Sequence, residues 1–139
     1  MAKTKKKPED AGRALAVLAA RIAHSRSLEN IVALNLRDIS PICDYFVIAT
    51  GNSDRQMRGV AEEIIAGAGG IGRRIYQTAG MESARWIVLD FVDVVVHLFD
   101  PPYRSYYDLE LIWGDAPRLR WRDARGKPPG KETDNGHGS

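Results

Sequence analysis

Gly67-Ala68-Gly69-Gly70-Ile71-Gly72 spells G-x-G-x-x-G, a pattern whose glycines let a backbone approach a dinucleotide pyrophosphate. That chemistry needs the glycines after a strand and at the opening of a helix. Here they follow a helical pattern and precede a strand-like one, so they read as a C-cap and loop. Thr50-Gly51-Asn52-Ser53 is a better place for an anion, because it leads into a helix whose first N–H groups are free. Ser53 and Gln56 have the S-x-x-Q form of a capping box and read as a structural cap. Asp90 and Asp93 flank a turn, where carboxylates three residues apart need not converge, and Asp108-Leu109-Glu110 lies far along the chain. A lone histidine assembles no metal site, so His97 reads as a hydrogen-bonded structural group rather than a base. Cys43 adjoins Asp44, whose charge raises a thiol pKa, and it reads as inert. There is no G-x-S-x-G elbow and no Cys/His cluster. On these residues the chain is expected to have no catalytic site, no metal and no cofactor.

The elements that would position these groups follow from hydropathy. Leu15, Leu18, Ala19 and Ile22 recur at helical spacing, which predicts an amphipathic helix from near Glu9 or Asp10 to about His24–Ser27. Asn30–Leu36 and the nearly apolar Tyr45–Thr50 read as strands, with Pro41 in the loop between them. Met57, Val60, Ala61, Ile64, Ile65 and Ala68 predict a second helix with one apolar face. A third strand over Arg74–Thr78 would complete a β-α-β crossover. Trp86–Phe91 and Val94–Phe99 are joined so tightly that an antiparallel hairpin is the economical connection. In the last strand Val95, His97 and Phe99 share one face, and Val94, Val96 and Leu98 the other. Pro101-Pro102 is expected to break that strand, and Tyr103–Trp113 to form a short helical segment. The fold class is α/β, one domain with a mixed five-stranded sheet flanked by helices. Its expected limits are residues 9–121, between a flexible basic arm at 1–8 and a disordered tail at 122–139.

One domain is the default for 139 residues with 44% hydrophobic content. The N-terminus lacks the h-region of a secretory signal, no run is long enough to span a membrane, and a single cysteine suits a reducing compartment. A cytoplasmic protein is the natural expectation. The net charge of +2 hides a segregation: Glu82 to Asp115 holds seven acids against two bases, a balance of −5, while lysines and arginines concentrate at both ends. Those ends read as solvated tails or as weak contacts to nucleic acid phosphates. The acidic stretch also carries Trp86, Tyr103, Tyr106, Tyr107 and Trp113. Aromatics among carboxylates are the ingredients of a patch for a basic protein, although such rings also pack cores, and Trp113 reads equally either way. The candidate partner-binding set is Trp86, Asp90, His97, Tyr103, Tyr106, Tyr107, Asp108 and Trp113.

Three segments in fixed order, DYFVIATGNSDRQ from Asp44 to Gln56, RWIVLDFVDVVVHLF from Arg85 to Phe99 and YYDLELIWGDAP from Tyr106 to Pro117, closely resemble the ribosomal silencing factor (Iojap) family. The resemblance runs over roughly residues 15–117. It implies a non-enzymatic α/β factor that binds the large ribosomal subunit through a ribosomal protein at the intersubunit face, blocks joining sterically and can form homodimers. It also implies that any contact of the basic tails would be to rRNA. The fold it implies is nucleotidyltransferase-like, and the Gly51–Ser53 turn has the corresponding form without a nearby carboxylate pair to hold Mg²⁺. A nucleotidyltransferase-like enzyme or nucleotide-binding domain is therefore the alternative. Two positions depart from the family pattern: Ala79 stands where Glu is common, and Val92 replaces a glycine. Because a β-branched residue tolerates positive φ poorly, the Asp90–Asp93 turn is expected to differ from its relatives.

Overall fold

The computed structural model describes residues 9–122; the arm at 1–8 and the tail from 123 onward lie outside the described residues. Its elements are α1 (Glu9–Ser25), β1 (Glu29–Asn35), β2 (Tyr45–Thr50), α2 (Asp54–Gly70), β3 (Gln77–Ala79), β4 (Trp86–Asp90), β5 (Val94–Phe99), α3 (Pro101–Tyr106) and α4 (Leu109–Ile112). The five strands form one mixed sheet in the order β1-β2-β5-β4-β3. β2 and β5 pair in parallel at its centre, with Tyr45 opposite Val94 and Thr50 opposite Phe99, and every other pairing is antiparallel. Both central strands are covered on two sides, which is why their sequences are almost continuously apolar.

One face of the sheet carries Tyr45, Val47, Ala49, Ile87, Leu89, Val94, Val96 and Leu98, and packs against α1 and α2. The small residues Ala16, Ala19, Ala20 and Ala23 on α1 sit in this core beside Met57, Val60, Ala61 and Ile64 of α2. The opposite face carries Leu34, Phe46, Ile48, Trp86, Val95 and Phe99, and packs against Tyr103, Leu109 and Trp113. The alternation in β5 therefore separates two cores, as its period of two requires.

Four details differ from the sequence reading. The third strand is three residues long and begins at Gln77 rather than Arg74. Its pairing opens where the Tyr76 N–H donates to the Asp90 carbonyl at 2.8 Å and stops at Gly80, which turns at φ 80°. The crossover from β2 through α2 to β3 exists, but the β4–β5 hairpin lies between the two strands it joins. α2 continues through Gly67, Ala68, Gly69 and Gly70 to a cap at Ile71, so most of the glycine run is helix and only Gly72 takes the left-handed turn at φ 79°. Pro101 and Pro102 start α3 rather than merely ending β5, because Asp100 caps the helix through Oδ1 and a first-turn residue needs no N–H.

The hairpin turn is a further difference. Val92 does adopt positive φ, at 81°, although the sequence suggested that a valine would force another geometry. The turn is held by the Val92 N–H donating to Asp90 Oδ1 at 2.8 Å, and by Arg73 pairing with Asp93. Left-handed φ costs an L-residue about 1–2 kcal/mol. Val92→Gly removes that strain and loses about 0.4–1 kcal/mol to unfolded-chain entropy, so a net gain of about 0.5–1 kcal/mol is expected. Urea unfolding checks it, and a lower midpoint for the glycine variant would contradict the strain.

Candidate functional site

The second core is built from rings on β4, β5, α3 and the segment after it. Trp86 stacks on Phe99 with centroids 4.9 Å apart and meets Tyr107 at 4.8 Å. Its indole N–H donates to His97 Nδ1 at 3.1 Å. His97 also meets Phe46 edge-on at 4.6 Å, and Phe46 meets Trp113 at 6.1 Å. Tyr103 lies 5.6 Å from Tyr107, which Tyr106 contacts edge-on at 4.8 Å. The structure thus brings six of the eight sequence candidates, Trp86, His97, Tyr103, Tyr106, Tyr107 and Trp113, into one aromatic layer. Asp90 stands apart at the far end of β4, where it holds the hairpin turn, and Asp108 lies exposed at the N-cap of α4.

Within this layer the roles divide by exposure. His97 is buried, Trp86, Tyr103 and Trp113 are half-buried, and Tyr106 is 78% exposed with Tyr107 at 39%. His97 accordingly presents no surface to a partner and acts by orienting Trp86. Its Nδ1 accepts a hydrogen bond, so the neutral ring carries its proton on Nε2. Desolvation lowers its pKa to about 4. The unfolded chain, with an ordinary value near 6.5, binds this proton first, so stability contributed by neutral His97 is complete above about pH 6.5 and is lost as the pH falls toward 4. Thermal melts across that window are expected to decline, and His97→Gln is expected to flatten the decline. An unchanged profile in that variant would contradict the assignment.

Sequence reasoning missed the aliphatic half of the surface. Leu111 and Ile112 are 79% and 67% exposed on α4, which follows the tyrosines in the chain. No local signal marked them, because Leu109, which packs on the second core, and the exposed Leu111 and Ile112 are equally apolar in sequence. Arg104 fixes this region: its Nε donates to Glu110 Oε1 at 3.0 Å and its Nη1 to Thr50 Oγ1 at 2.8 Å, tying α3 to α4 and to the end of β2. Tyr106, Tyr107, Leu111 and Ile112 are thus exposed along the α3–α4 segment, which also carries the exposed Asp108 and Asp115.

The Gly51–Ser53 turn is occupied by its own side chains. Ser53 Oγ accepts from the Gln56 N–H at 3.1 Å, while Gln56 Oε1 accepts from Asn52 N–H at 2.7 Å and Gln56 Nε2 donates to the Arg26 carbonyl at 3.2 Å. Gln56 therefore ties α2 to the end of α1 as well as closing the cap. A Cβ at Gly51 would lie 2.5 Å from Met57 Cγ, so the glycine is what lets the first turn of α2 pack against the end of β2. Cys43 is buried, and its thiol is pushed up to about 11 by desolvation and then by Asp44, Asp90 and Asp93. Among the described residues no group of three His, Cys, Asp or Glu side chains is placed to hold a metal ion, and no helix is long and apolar enough to cross a membrane.

Residues 8–138 match the family model described as ribosomal silencing factor during starvation. The Bacillus subtilis ribosomal silencing factor RsfS is 44% identical over 100 residues, spanning 72% of this chain and 85% of that protein. The chloroplastic Iojap protein of Arabidopsis thaliana is 31% identical over 113 residues, spanning 76% of this chain and 44% of its own length. A crystal structure from Chromobacterium violaceum superposes with a TM-score of 0.71 at 28% identity, covering 84% of this chain and 97% of that one. One from Bacillus halodurans gives 0.67 at 38% identity, covering 78% and 98%.

Proposed function

This chain belongs to the ribosomal silencing factor family, and from that membership we propose that it is a cytoplasmic translational repressor that binds the large ribosomal subunit and blocks subunit joining. In this reading residues 9–121 are the folded unit that acts, and the docking partner is a basic ribosomal protein at the intersubunit face. The observation that carries it is the exposure of Tyr106, Tyr107, Leu111 and Ile112 along the α3–α4 segment, which also carries the exposed Asp108 and Asp115. Large aromatic and aliphatic side chains on a seated base supply the apolar centre of an interface, and surrounding carboxylates steer a basic partner. Steric occupation of the intersubunit face needs no chemistry, so the chain acts as a factor rather than as an enzyme. Light scattering of mixed subunits tests the effect on joining: added chain is expected to lower the yield of joined ribosomes, and an unchanged yield at saturating chain would overturn the reading.

We read the sheet as a nucleotidyltransferase-like topology without the catalytic metal site. The rival, a nucleotide-binding domain on that scaffold, requires the Gly51–Ser53 turn to offer N–H groups to phosphate. The Asn52 and Gln56 N–H groups are already spent on side chains of the same turn. Calorimetry with ATP, GTP and Mg²⁺ is expected to give no binding heat. A strong magnesium-dependent heat would favour the rival.

A further inference from the structure

A cleft of about 580 Å³ opens between β1, the α3–α4 segment and the stretch that follows Pro117, and none of the rings of the aromatic layer lines it. Its volume lies within the range of about 300–1,000 Å³ in which proteins hold small ligands. Glu29, Asn30, Ile31 and Val32 all line it, although a regular strand turns successive side chains to opposite faces. A bulge makes this possible: the pairing of β1 with β2 shifts between Glu29 and Val32, and Asn30 takes φ 50°. The charged groups of the cleft divide into a committed pair and a free set. Arg104 Nε and Nη2 both lie 3.0 Å from Glu110 Oε1, and Arg104 Nη1 donates to Thr50 Oγ1, so this pair is satisfied within the fold. Arg122 is held over the Trp121 ring at 4.9 Å. Glu29, Asp108 and Arg118 are exposed, and none of the three makes an ion pair or a side-chain hydrogen bond among the described residues.

We propose that this cleft binds a small zwitterion, a free amino acid or a short peptide with unblocked termini, taking its carboxylate on Arg118 and its ammonium on Glu29 or Asp108. The free set holds both signs of charge, so a simple anion meets two like-charged carboxylates and a simple cation meets a like-charged guanidinium. A zwitterion answers both. The planar fork of arginine donates two parallel hydrogen bonds to a carboxylate, and a carboxylate accepts from an ammonium group. A ligand lacking either charge leaves one group of the cleft desolvated without a partner, which is how the site discriminates against it. Leu28, Ile31 and Val32 add an apolar lining that suits an aliphatic side chain. A nucleic acid backbone is a poor occupant, because Arg104, Arg118 and Arg122 are cancelled by Glu29, Asp108 and Glu110. Binding is measured on the chain alone, so its failure leaves the large-subunit reading untouched.

The test is an NMR titration of the isotope-labelled full chain with leucine and, separately, with the dipeptide Leu-Leu. Saturable amide shifts are expected in the β1 bulge and in the α3–α4 segment, and the tighter of the two ligands identifies the source as amino acid or peptide. N-acetyl-leucinamide, which keeps the side chain and carries neither charge, is expected to bind at least tenfold more weakly. Arg118→Gln, and separately the pair Glu29→Gln, Asp108→Asn, are each expected to weaken binding at least tenfold, the loss of about one charge-assisted hydrogen bond. These side chains are exposed and unpaired, so the fold does not depend on them, and unchanged amide shifts outside the cleft check this. No saturable shift with either ligand, shifts confined to other residues, equal binding of N-acetyl-leucinamide, or unchanged affinity in either variant would overturn the proposal.

Discussion

A chain carrying Tyr106→Ala together with Leu111→Asp is expected to bind the large ribosomal subunit at least thirtyfold more weakly than the unaltered chain. Both side chains are more than three-quarters exposed, so neither substitution removes packing from the two cores. Truncating an aromatic hot spot costs about 2 kcal/mol, which is roughly thirtyfold in affinity. The aspartate adds an unpaired carboxylate to the surface that the proposed partner covers, where on binding it loses its water without gaining a partner. Pelleting at a series of concentrations measures the loss, with circular dichroism to show the fold intact. Unchanged affinity would remove this patch from the interface.

Trp86→Ala is expected to act on stability instead. The ring stacks on Phe99 and meets Tyr107, and among the described residues its N–H is the only hydrogen-bond partner of the His97 ring. Losing a large aromatic from a core costs about 3–5 kcal/mol, and the partial exposure of Trp86 places it at the low end, near 3 kcal/mol. For a domain of this size that is a fall in Tm of roughly 10–15 °C. Trp86→Phe keeps most of the stacking and is expected to lose about half as much or less. A loss below about 1 kcal/mol for the alanine variant would contradict the packing described for this ring.

Trp86 also shows where sequence reasoning stopped. Its place at the start of a strand was legible, and so was the sheet it belongs to, because the nearly continuous apolar run Val94–Phe99 and the helical stripes of α1 and α2 are local signals of burial. Whether the ring faced solvent was not legible, since that depends on Tyr107 and Phe99 arriving from elsewhere in the chain. The same limit applied to His97, which is covered by Phe46 of β2 and Trp86 of β4, and to Leu111 and Ile112, whose exposure follows from the shortness of α4. Charge misled at the other end. The basic ends read as solvated tails, although the expected domain ran to residue 121, and the interleaved Leu119 and Trp121 carry the docking of that last stretch to β1 and α1. Val92 misled for a different reason, in that a local preference for negative φ was overridden by the hydrogen bonds and ion pair that close the hairpin.

The central claim, that the chain engages the large subunit through a defined face and so keeps the small subunit away, is tested most directly by gradient sedimentation of labelled chain with separated subunits and then with both together. The chain is expected to travel with the large subunit, to be absent from the small one, and to deplete the joined peak, with the Tyr106→Ala, Leu111→Asp variant failing in all of these effects except absence from the small subunit. Co-sedimentation with the small subunit, or a joined peak that carries the chain undiminished, would contradict the account.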